Sequence, residues 1–264
     1  AYASKATGMQ IQVERIDLRF PLNLLVRGVE VIQQPDTLLS LESLNVRVQA
    51  WPLLKGKVEV DEVTLSQVAV NSANLIEGMQ IKGVLGRFFL QSHGVDLSNE
   101  TAVVNRTELS DTHIQLLMTD TTTTPKDTTA SAPVNWKVNL HQLKLKNVSF
   151  GMKLPADSMK MAAYIGEATI DDAKADLKNQ FYGLKQFLLS GPSASYDTGE
   201  AQPSEGFDAS HMAVRNIRIG LDSLLYEGRN MNAVIREITM EERSGLSITS
   251  LTGRLFSNDS IIRI

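Results

Sequence analysis

The chain has 264 residues and no cysteine, so disulfide bonds, thiolate metal sites and cysteine nucleophiles are excluded. It also lacks a basic excess, because 26 Lys and Arg face 30 Asp and Glu for a net charge of -4, which argues against nucleic acid as a partner. Aromatic residues make up only 6% of the chain. No segment approaches the roughly 20 consecutive apolar residues that a membrane-spanning helix needs. What remains is a chain rich in Val, Ile and Leu, whose spacing carries the information.

The start of the sequence shows neither an initiator Met nor a signal peptide. It begins at Ala1, without an initiator Met and without the charged and apolar regions of a signal peptide. We therefore expect a piece of a longer protein, with any membrane anchor or signal lying outside these residues.

Catalytic and metal-binding motifs are missing as well. The chain has four histidines, namely His93, His113, His141 and His211. They show no metal-binding spacing such as His-Glu-x-x-His. The densest carboxylates, Asp171, Asp172 and Asp176, lack the regular Asp-x-Asp-x-Asp-Gly spacing of a calcium loop. We therefore predict that the protein is not an enzyme and requires neither a metal nor another cofactor.

Two stretches that lie 80 residues apart share one apolar pattern. In residues 58–70, and again in residues 138–150, apolar side chains occupy positions 1, 3, 6, 8, 11 and 13. These positions scatter around a helix, which turns by about 100° per residue. They fall on one face of a strand if each step of three contains a bulge or a kink. The pattern therefore predicts long, bent strands with a single apolar side.

The same steps of two and three residues recur along the chain. They predict further strands within residues 9–20, 29–31, 41–48, 88–90, 114–118, 159–170, 217–221, 235–240 and 246–251. Helix signals are few. Apolar residues at helical spacing make 176–189 the best helix candidate, although residues 180–183 also suit a strand and Gly183 weakens a helix. Residues 51–56 are expected to form a short helical turn or a tight loop, and 71–79 are a candidate for a short helix.

Two polar stretches divide the chain. Residues 119–133 are rich in Thr, and residues 190–210 are rich in Gly, Pro, Ser and acids, so both are predicted to be loops. The β segments around them are 1–118, 134–189 and 211–264. Because these segments share one pattern, we interpret the loops as insertions into a single continuous sheet.

Strands separated by turn signals, with little helix, indicate antiparallel β structure. The predicted fold is mainly β: an elongated, curved antiparallel sheet that forms an apolar trough, with at most one or two short helices. A closed β-sandwich, or a sheet covered by helices, is the simpler alternative and is favoured by composition alone. The chain offers little helix for a second layer, however, and an open, curved sheet would leave a trough that accepts acyl chains.

The predicted lining of this trough consists of the alternating apolar residues of the strands. These residues are Ile11, Val13, Ile16, Leu18, Val46, Val48, Val58, Val60, Val63, Leu65, Val68, Val138, Leu140, Leu143, Leu145, Val148 and Phe150. Their role would be to provide a dry surface, on which each buried methylene of a lipid contributes about 0.8 kcal/mol.

Several stretches are typical of a known family. Residues 8–31 read GMQIQVERIDLRFPLNLLVRGVEV, residues 38–44 read LLSLESL, and residues 54–65 read LKGKVEVDEVTL. They resemble the N-terminal region of the AsmA/TamB superfamily. Residues 241–248, which read EERSGLSI, resemble a recurring segment in TamB-like proteins of Bacteroidetes.

The resemblance implies a periplasmic segment of a protein that an N-terminal anchor, outside this sequence, holds in the inner membrane. It implies phospholipid acyl chains as ligands of an apolar β trough, and a role in lipid transport and outer-membrane biogenesis. The alternative that it implies is a scaffold without bound lipid. Such a scaffold would dock an outer-membrane assembly barrel protein, and so serve protein secretion, through an exposed strand edge.

Overall fold

The computed structural model describes residues 9–20, 22–53, 59–73, 75–76, 78–96, 99–118, 135–199 and 201–263. They form strands β1 (Gln10–Arg19), β2 (Asn23–Gln33), β3 (Asp36–Val48), β4 (Val60–Asn71), β5 (Met79–Asp96), β6 (Thr101–Met118), β7 (Lys137–Leu154), β8 (Met159–Asp176), β9 (Phe181–Leu184), β10 (Gln186–Ser190), β11 (Ser193–Asp197), β12 (His211–Glu227), β13 (Asn230–Glu242), β14 (Ser247–Ser257) and β15 (Ile262–Arg263). A four-residue helix, α1 (Ala50–Leu53), and a 3₁₀ turn (Pro155–Asp157) complete the described structure. In this part of the chain no helix combines the length and the apolar character needed to cross a membrane.

All fifteen strands belong to one sheet. The order is β1-β2-β3-β4-β5-β6-β7-β8-β10-β12-β13-β14-β15, and β9 and β11 also lie between β8 and β12. Neighbouring strands are antiparallel except β6 and β7, which run parallel with Thr101 opposite Lys137. The predicted mainly-β, elongated and curved sheet is therefore confirmed, with one parallel pair that the sequence did not predict.

The helix predicted over residues 176–189 is wrong. The chain forms β9 and β10 there, and together with β11 they act as one interrupted strand between β8 and β12. Phe187 lies opposite Ile170 on β8 and Leu221 on β12, so its apolar neighbours come from pairing on both sides. Long-range strand pairing has thus overridden a weak helical spacing.

The loops and short helices expected from the sequence are only partly present. The stretch 190–210 is not wholly a loop, because the alternating residues of β11 pair with both neighbouring strands. The helical turn expected within 51–56 is present as α1, whereas the described residues of 71–79 include the end of β4 and the start of β5 and no helix. The Thr-rich stretch 119–133 lies outside the described residues.

The buried core is sparse. Among the described residues the buried apolar side chains are Leu38, Ala102, Val104, Ala168, Ala233 and Ile235. No large side chain of the described chain is fully buried, and no second sheet or long helix within it lies against the first sheet. The closed sandwich that composition favoured is therefore not the fold of these residues.

A line of kinks crosses the sheet where the apolar pattern steps by three. The kinked residues are Gly28, Gln67, Asp111, Asn147 and Asn216, with positive φ angles of 59°, 48°, 51°, 53° and 53°. A left-handed residue interrupts the alternation of side chains. Leu65 and Val68, three positions apart on β4, can therefore stay on one face.

The kink is shared by neighbouring strands. Between β4 and β5, Ser66 pairs with Arg87 and Val68 pairs with Leu85, so each strand passes over one residue and the register is unchanged. A one-sided bulge would instead shift the register. Such shifts do occur on a second line of irregularities, as between the pairs formed by Arg47 and Val48 on β3.

Glycine is required where the kinked strands approach most closely. A Cβ placed on Gly86 would lie 2.7 Å from the Cβ of Asp111, and one placed on Gly28 would lie 2.6 Å from the Cβ of Glu14. Both distances are shorter than any two non-bonded carbons tolerate. One residue of each of these kinked pairs therefore has no side chain.

Each step of three also leaves two consecutive polar or glycine residues. On the first kink line these doublets are Glu14-Arg15, Arg27-Gly28, Glu42-Ser43, Ser66-Gln67, Gly86-Arg87, Ser110-Asp111, Lys146-Asn147 and Gly166-Glu167. Glu14, Glu42, Gln67, Asp111 and Asn147 are all exposed. Each doublet puts two consecutive residues on the polar side, so the apolar residues before and after it stay on one face.

Candidate functional site

The register of the sheet sorts side chains into rows. Residues directly opposite one another in paired strands lie on the same side of the sheet, and successive residues of a strand alternate. We name each row after its member on β4. Four apolar rows, the Val70, Val68, Leu65 and Val63 rows, cross most of the sheet and form one apolar face.

The Leu65 and Val63 rows are the longest. The Leu65 row contains Ile16, Val26, Leu44, Leu65, Phe88, Leu109, Leu145, Ala168, Leu189, Ile219, Ile238 and Leu251. The Val63 row contains Leu18, Leu24, Val46, Val63, Leu90, Thr107, Leu143, Ile170, Phe187, Leu221, Ile235 and Gly253. Both rows run from β1 to β14 without a charged side chain.

The other two rows lie across the first kink line. The Val70 row contains Ile11, Val31, Leu39, Val70, Gly83, Ile114, Phe150, Ala163, Ala194, Val214 and, at its end on β13, Glu242. The Val68 row contains Val13, Val29, Leu41, Val68, Leu85, Thr112, Val148 and Ile165. They extend the apolar face toward the opposite ends of the strands.

The two copies of the sequence repeat fall on the same rows. The register leads from Leu65 on β4 through Phe88 and Leu109 to Leu145 on β7, which is 80 positions later. The same offset joins Val68 to Val148. Equivalent residues of the two sequence repeats therefore lie in the same row of the sheet.

The structure places the predicted lining residues together. Ile11, Val13, Ile16, Leu18, Val46, Val63, Leu65, Val68, Leu143, Leu145, Val148 and Phe150 lie on the four rows defined above. Val48 and Val60 pair with each other beyond the Val63 row, where Leu140 lies opposite Val104 and Val138 opposite Ala102. Val58 lies outside the described residues.

The predicted lining omitted the members of these rows on β10, β12 and β13, although strands were predicted over 217–221 and 235–240. Phe187 and Leu189 were assigned to a helix, although they complete the Val63 and Leu65 rows. A usable signal was present on β12, where Ile219, Leu221 and Leu224 again show steps of two and three.

The apolar face is open to solvent. At the β1 edge, Ile16 is 63% exposed and Leu18 is 71% exposed. Farther into the sheet most members of the rows are partly buried by their neighbours, and in the two longest rows only Ala168 and Ile235 are buried. At one end of this face a groove of about 210 Å³ is lined by Val138, Leu140, Tyr182, Leu184, Leu224 and adjoining residues.

The opposite side of the same strands is mostly polar, although Leu25, Phe89 and Leu188 also lie on it. The Glu62 row contains Arg19, Asn23, Arg47, Glu62, Gln91, Arg106, Gln142, Asp171 and Gln186. Its members hydrogen-bond across strands, as Arg47 does to Glu62 at 2.9 Å and Gln142 to Asp171 at 3.2 Å. A single residue step therefore separates a hydrocarbon row from a row of charges and amides.

Most ionisable groups lie on the polar side. The Lys185 ammonium, 2.9 Å from Asp172, and then the His141 ring, at 3.1 Å, hold the pKa of the Asp172 carboxyl below its ordinary range. The Leu65, Val63 and Val68 rows contain no ionisable side chain, whereas the Val70 row ends at Glu242, which pairs with Val214. Within the described ranges no group of three or more His, Asp and Glu residues is arranged to hold a metal ion. The apolar face can exclude water from hydrocarbon, and the Glu242 carboxylate at the end of the Val70 row accepts hydrogen bonds from the backbone N–H groups of Ala213 and Ser244.

Comparison with protein-family models and with curated proteins identified no relative of this chain. No protein-family model matches the chain, and no curated protein matches its sequence. The candidate site is therefore defined by the register of the sheet and by the chemistry of its rows.

Proposed function

We propose that the apolar face binds the acyl chains of lipids and shields them from water. The observation that carries this proposal is the continuity of the uncharged Leu65 and Val63 rows from β1 to β14, with no covering layer in the described chain. Neighbouring strands lie about 4.8 Å apart, so each row offers roughly 50 Å of hydrocarbon surface. That exceeds the hydrocarbon thickness of a bilayer, about 30 Å.

The energetics favour such a ligand. Each methylene removed from water contributes about 0.8 kcal/mol, and partly exposed Leu, Val and Ile side chains gain in the same way when they are covered. The attraction has no direction, so the face would accept acyl chains of many lipids. It would hold a chain without fixing its position along a row, as lipid movement requires.

We further propose a cellular role on the basis of the resemblance to the AsmA/TamB superfamily. The chain would be a periplasmic part of a TamB-like protein that is anchored in the inner membrane, and it would carry phospholipid toward the outer membrane. The length and openness of the apolar face support this role, and the lack of ionisable groups on the Leu65, Val63 and Val68 rows supports a non-enzymatic one.

Neighbouring residues on β4 provide the test. The protein is purified without detergent, its lipids are extracted and measured by mass spectrometry, and exchange of a fluorescent phospholipid is followed.

Leu65→Asp puts a charge on the apolar face and should abolish most lipid binding, whereas Thr64→Asp puts the charge on the opposite side and should preserve binding. Circular dichroism establishes that both variants are folded. Absence of exchangeable phospholipid in the wild type, or full binding by folded Leu65→Asp, would refute the proposal.

A second candidate is a scaffold that docks an outer-membrane assembly barrel protein through a strand edge. The exposed edge of β1 favours it, because Ile16 and Leu18 are the most exposed members of their rows. Ile16→Lys should remove such a partner in a pull-down while lipid binding at the centre of the sheet persists. Loss of lipid with the partner retained would instead support the first function.

A further inference from the structure

The polar side of the sheet contains a groove of its own, here called the cationic groove. It has a volume of about 680 Å³ and is lined by residues of β8, β9, β12, β13 and β14 together with Lys185. This volume is typical of small-molecule sites, which measure about 300–1,000 Å³. Three strand spacings of about 4.8 Å separate β9 from β14, so the groove is roughly 14 Å long.

The register places the cationic groove on the side opposite the apolar rows. The row across its floor consists of Lys174, Gly183, Leu225, Asn232 and Phe256. Successive residues of a strand face opposite sides, so the side chain of Leu225 points away from that of Leu224. Leu224 lines the groove beside Leu140 on the apolar face. The two grooves therefore lie back to back.

The floor of the cationic groove is apolar. Leu225 is 39% exposed and lies opposite Gly183, which has no side chain to cover it. A Cβ placed on Gly183 would lie 3.6 Å from Cδ1 of Leu225 and 3.7 Å from the ring of Phe181, so both side chains lie close to this glycine. Phe256 lines the β14 end of the groove. A hydrocarbon chain can thus lie across the strands, from the ring of Phe181 to that of Phe256.

Cations surround this floor. Lys174, Lys185 and Arg254 belong to the lining, in which Asp172 is the one carboxylate among the described residues. The Lys185 ammonium already neutralises Asp172, with Nζ 2.9 Å from Oδ2. Lys174 and Arg254 are exposed and form no ion pair with any residue that the structure describes. Glu227, opposite Phe181, lies outside the lining. The groove therefore has an excess of positive charge, although the chain as a whole has a net charge of -4.

We propose that the cationic groove binds a single-chain anionic amphiphile, which is one hydrocarbon chain that ends in a carboxylate or a phosphate. The chain lies on Leu225 between the two phenylalanine rings, and the acidic group meets Arg254. A guanidinium binds either acid through two parallel hydrogen bonds. An extended chain advances about 1.2 Å per bond, so roughly a dozen bonds span the groove. This site does not depend on acyl-chain binding by the apolar face.

Dodecanoate and dodecyl phosphate are suitable probes. Each is titrated into the full chain of 264 residues by calorimetry, at concentrations too low for micelles. Binding of either anion supports the proposal, and the tighter of the two identifies the preferred acidic group. Dodecyltrimethylammonium has the same chain but a positive charge, so it should bind at least about tenfold more weakly. Equal binding of this cation would overturn the proposal.

Substitutions on the polar side test the two parts of the cationic groove. Arg254→Glu should weaken binding of both anions at least about tenfold, because charge-assisted hydrogen bonds are lost. Leu225→Gln should weaken it several-fold through lost apolar contact. Arg218→Glu is the control, because Arg218 is an exposed arginine on β12 outside this groove, and it should bind like the wild type. Circular dichroism establishes that each variant is folded.

The apolar face competes for these probes, so the location of binding is measured as well. A photoreactive diazirine analogue of dodecanoate should crosslink to residues 181–185, 223–225 or 254–256, in the wild type and in Leu65→Asp. Crosslinks confined to the apolar rows, or full binding by folded Arg254→Glu, would overturn this inference and leave the proposed acyl-binding face intact. Crosslinks in the cationic groove without phospholipid exchange would support this inference and refute the proposed function alone.

Discussion

The two sides of this sheet use the same strands for opposite chemistry. On the apolar side the Leu65 and Val63 rows cross from β1 to β14 without a charge, whereas on the polar side the Glu62 row is built from charges and amides. Hydrogen bonds and ion pairs connect the polar side chains, while the apolar rows meet no second layer within the described chain. An exposed apolar surface of this extent usually marks a binding site. The proposed lipid ligand would cover the apolar rows that no second protein layer covers in the described chain.

The comparison predicts that the apolar face contributes less to stability than a true core would. Ile235 is only 6% exposed, so Ile235→Ala should cost about 2–5 kcal/mol of unfolding free energy. Leu65 is partly exposed on the open face, so Leu65→Ala should cost about half of that or less. Urea unfolding of the lipid-free protein measures both. If the two substitutions cost the same unfolding free energy, Leu65 would be as buried as Ile235, which would count against an open face.

The kinks keep the two sides separate, so a side chain at their closest approach should be costly. Gly86→Ala places a Cβ 2.7 Å from the Cβ of Asp111, and we expect a loss of about 1–3 kcal/mol from the strain. Gly83→Ala on the same strand meets its nearest atom, the carbonyl oxygen of His113, at 3.4 Å. It should leave the unfolding free energy almost unchanged.

A second variant distinguishes the clash between the two Cβ atoms from a general intolerance of β5 to substitution. Asp111→Gly removes the opposing Cβ and suits the positive φ of 51° at that position. Combined with Gly86→Ala, it should recover part of the lost stability in the same urea titration, because the backbone oxygens of Asp111 and Ser110 still lie 3.0 and 3.2 Å from the added Cβ. If the double variant is no better than Gly86→Ala alone, the two strands do not approach as closely as described.

The repeat at residues 58–70 and 138–150 was sufficient to predict bent strands with one apolar side, because steps of two and three fit no helix. It also predicted most of the lining, since the register preserves the offset of 80 residues between β4 and β7. The interrupted strand of β9 to β11 was not predictable from local spacing. Gly191 and Pro192 break it, and its apolar residues are explained only by pairing with β8 and β12.

The direction of neighbouring strands could not be predicted from the sequence for a different reason. Alternation reports which side of a sheet a residue faces, but it does not report the direction of the neighbouring strand. The parallel pairing of β6 with β7 therefore left no mark in the sequence. The shared kink was also ambiguous, because a step of three permits either a one-sided bulge or a kink in both strands.

Acid should affect the hydrogen-bonded turns before it affects the apolar rows. Hydrogen bonds from Ser244, first from its hydroxyl and then from its backbone N–H, hold the pKa of Glu242 below its ordinary value of 4.5. A lowered pKa means that the charged carboxylate stabilises the fold above pH 4.5, and that this contribution is lost as the pH falls through the folded-state pKa. Glu242→Gln should thus lower Tm at pH 7, with a difference from wild type that shrinks below pH 4.5.

The same substitution at Glu237, also on β13, controls for the loss of one negative charge. Its difference from wild type should not follow the pattern of Glu242→Gln. A Tm difference for Glu242→Gln that stays constant from pH 7 to pH 3 would show that the carboxylate is not the group that stabilises this turn.

The smallest effect is expected from the charges on the polar side. Asp172 has a φ of 51°, and its exposed carboxylate contacts Lys185 and His141. Exposed ion pairs contribute little, and Asn adopts the left-handed conformation readily, so Asp172→Asn should shift Tm by about 2 °C or less. Asp172→Ala removes the same charge but fits this backbone poorly, and it should lower Tm further. If the two variants lose equal stability, and high salt removes the difference from wild type, then ion pairing rather than backbone conformation maintains this kink.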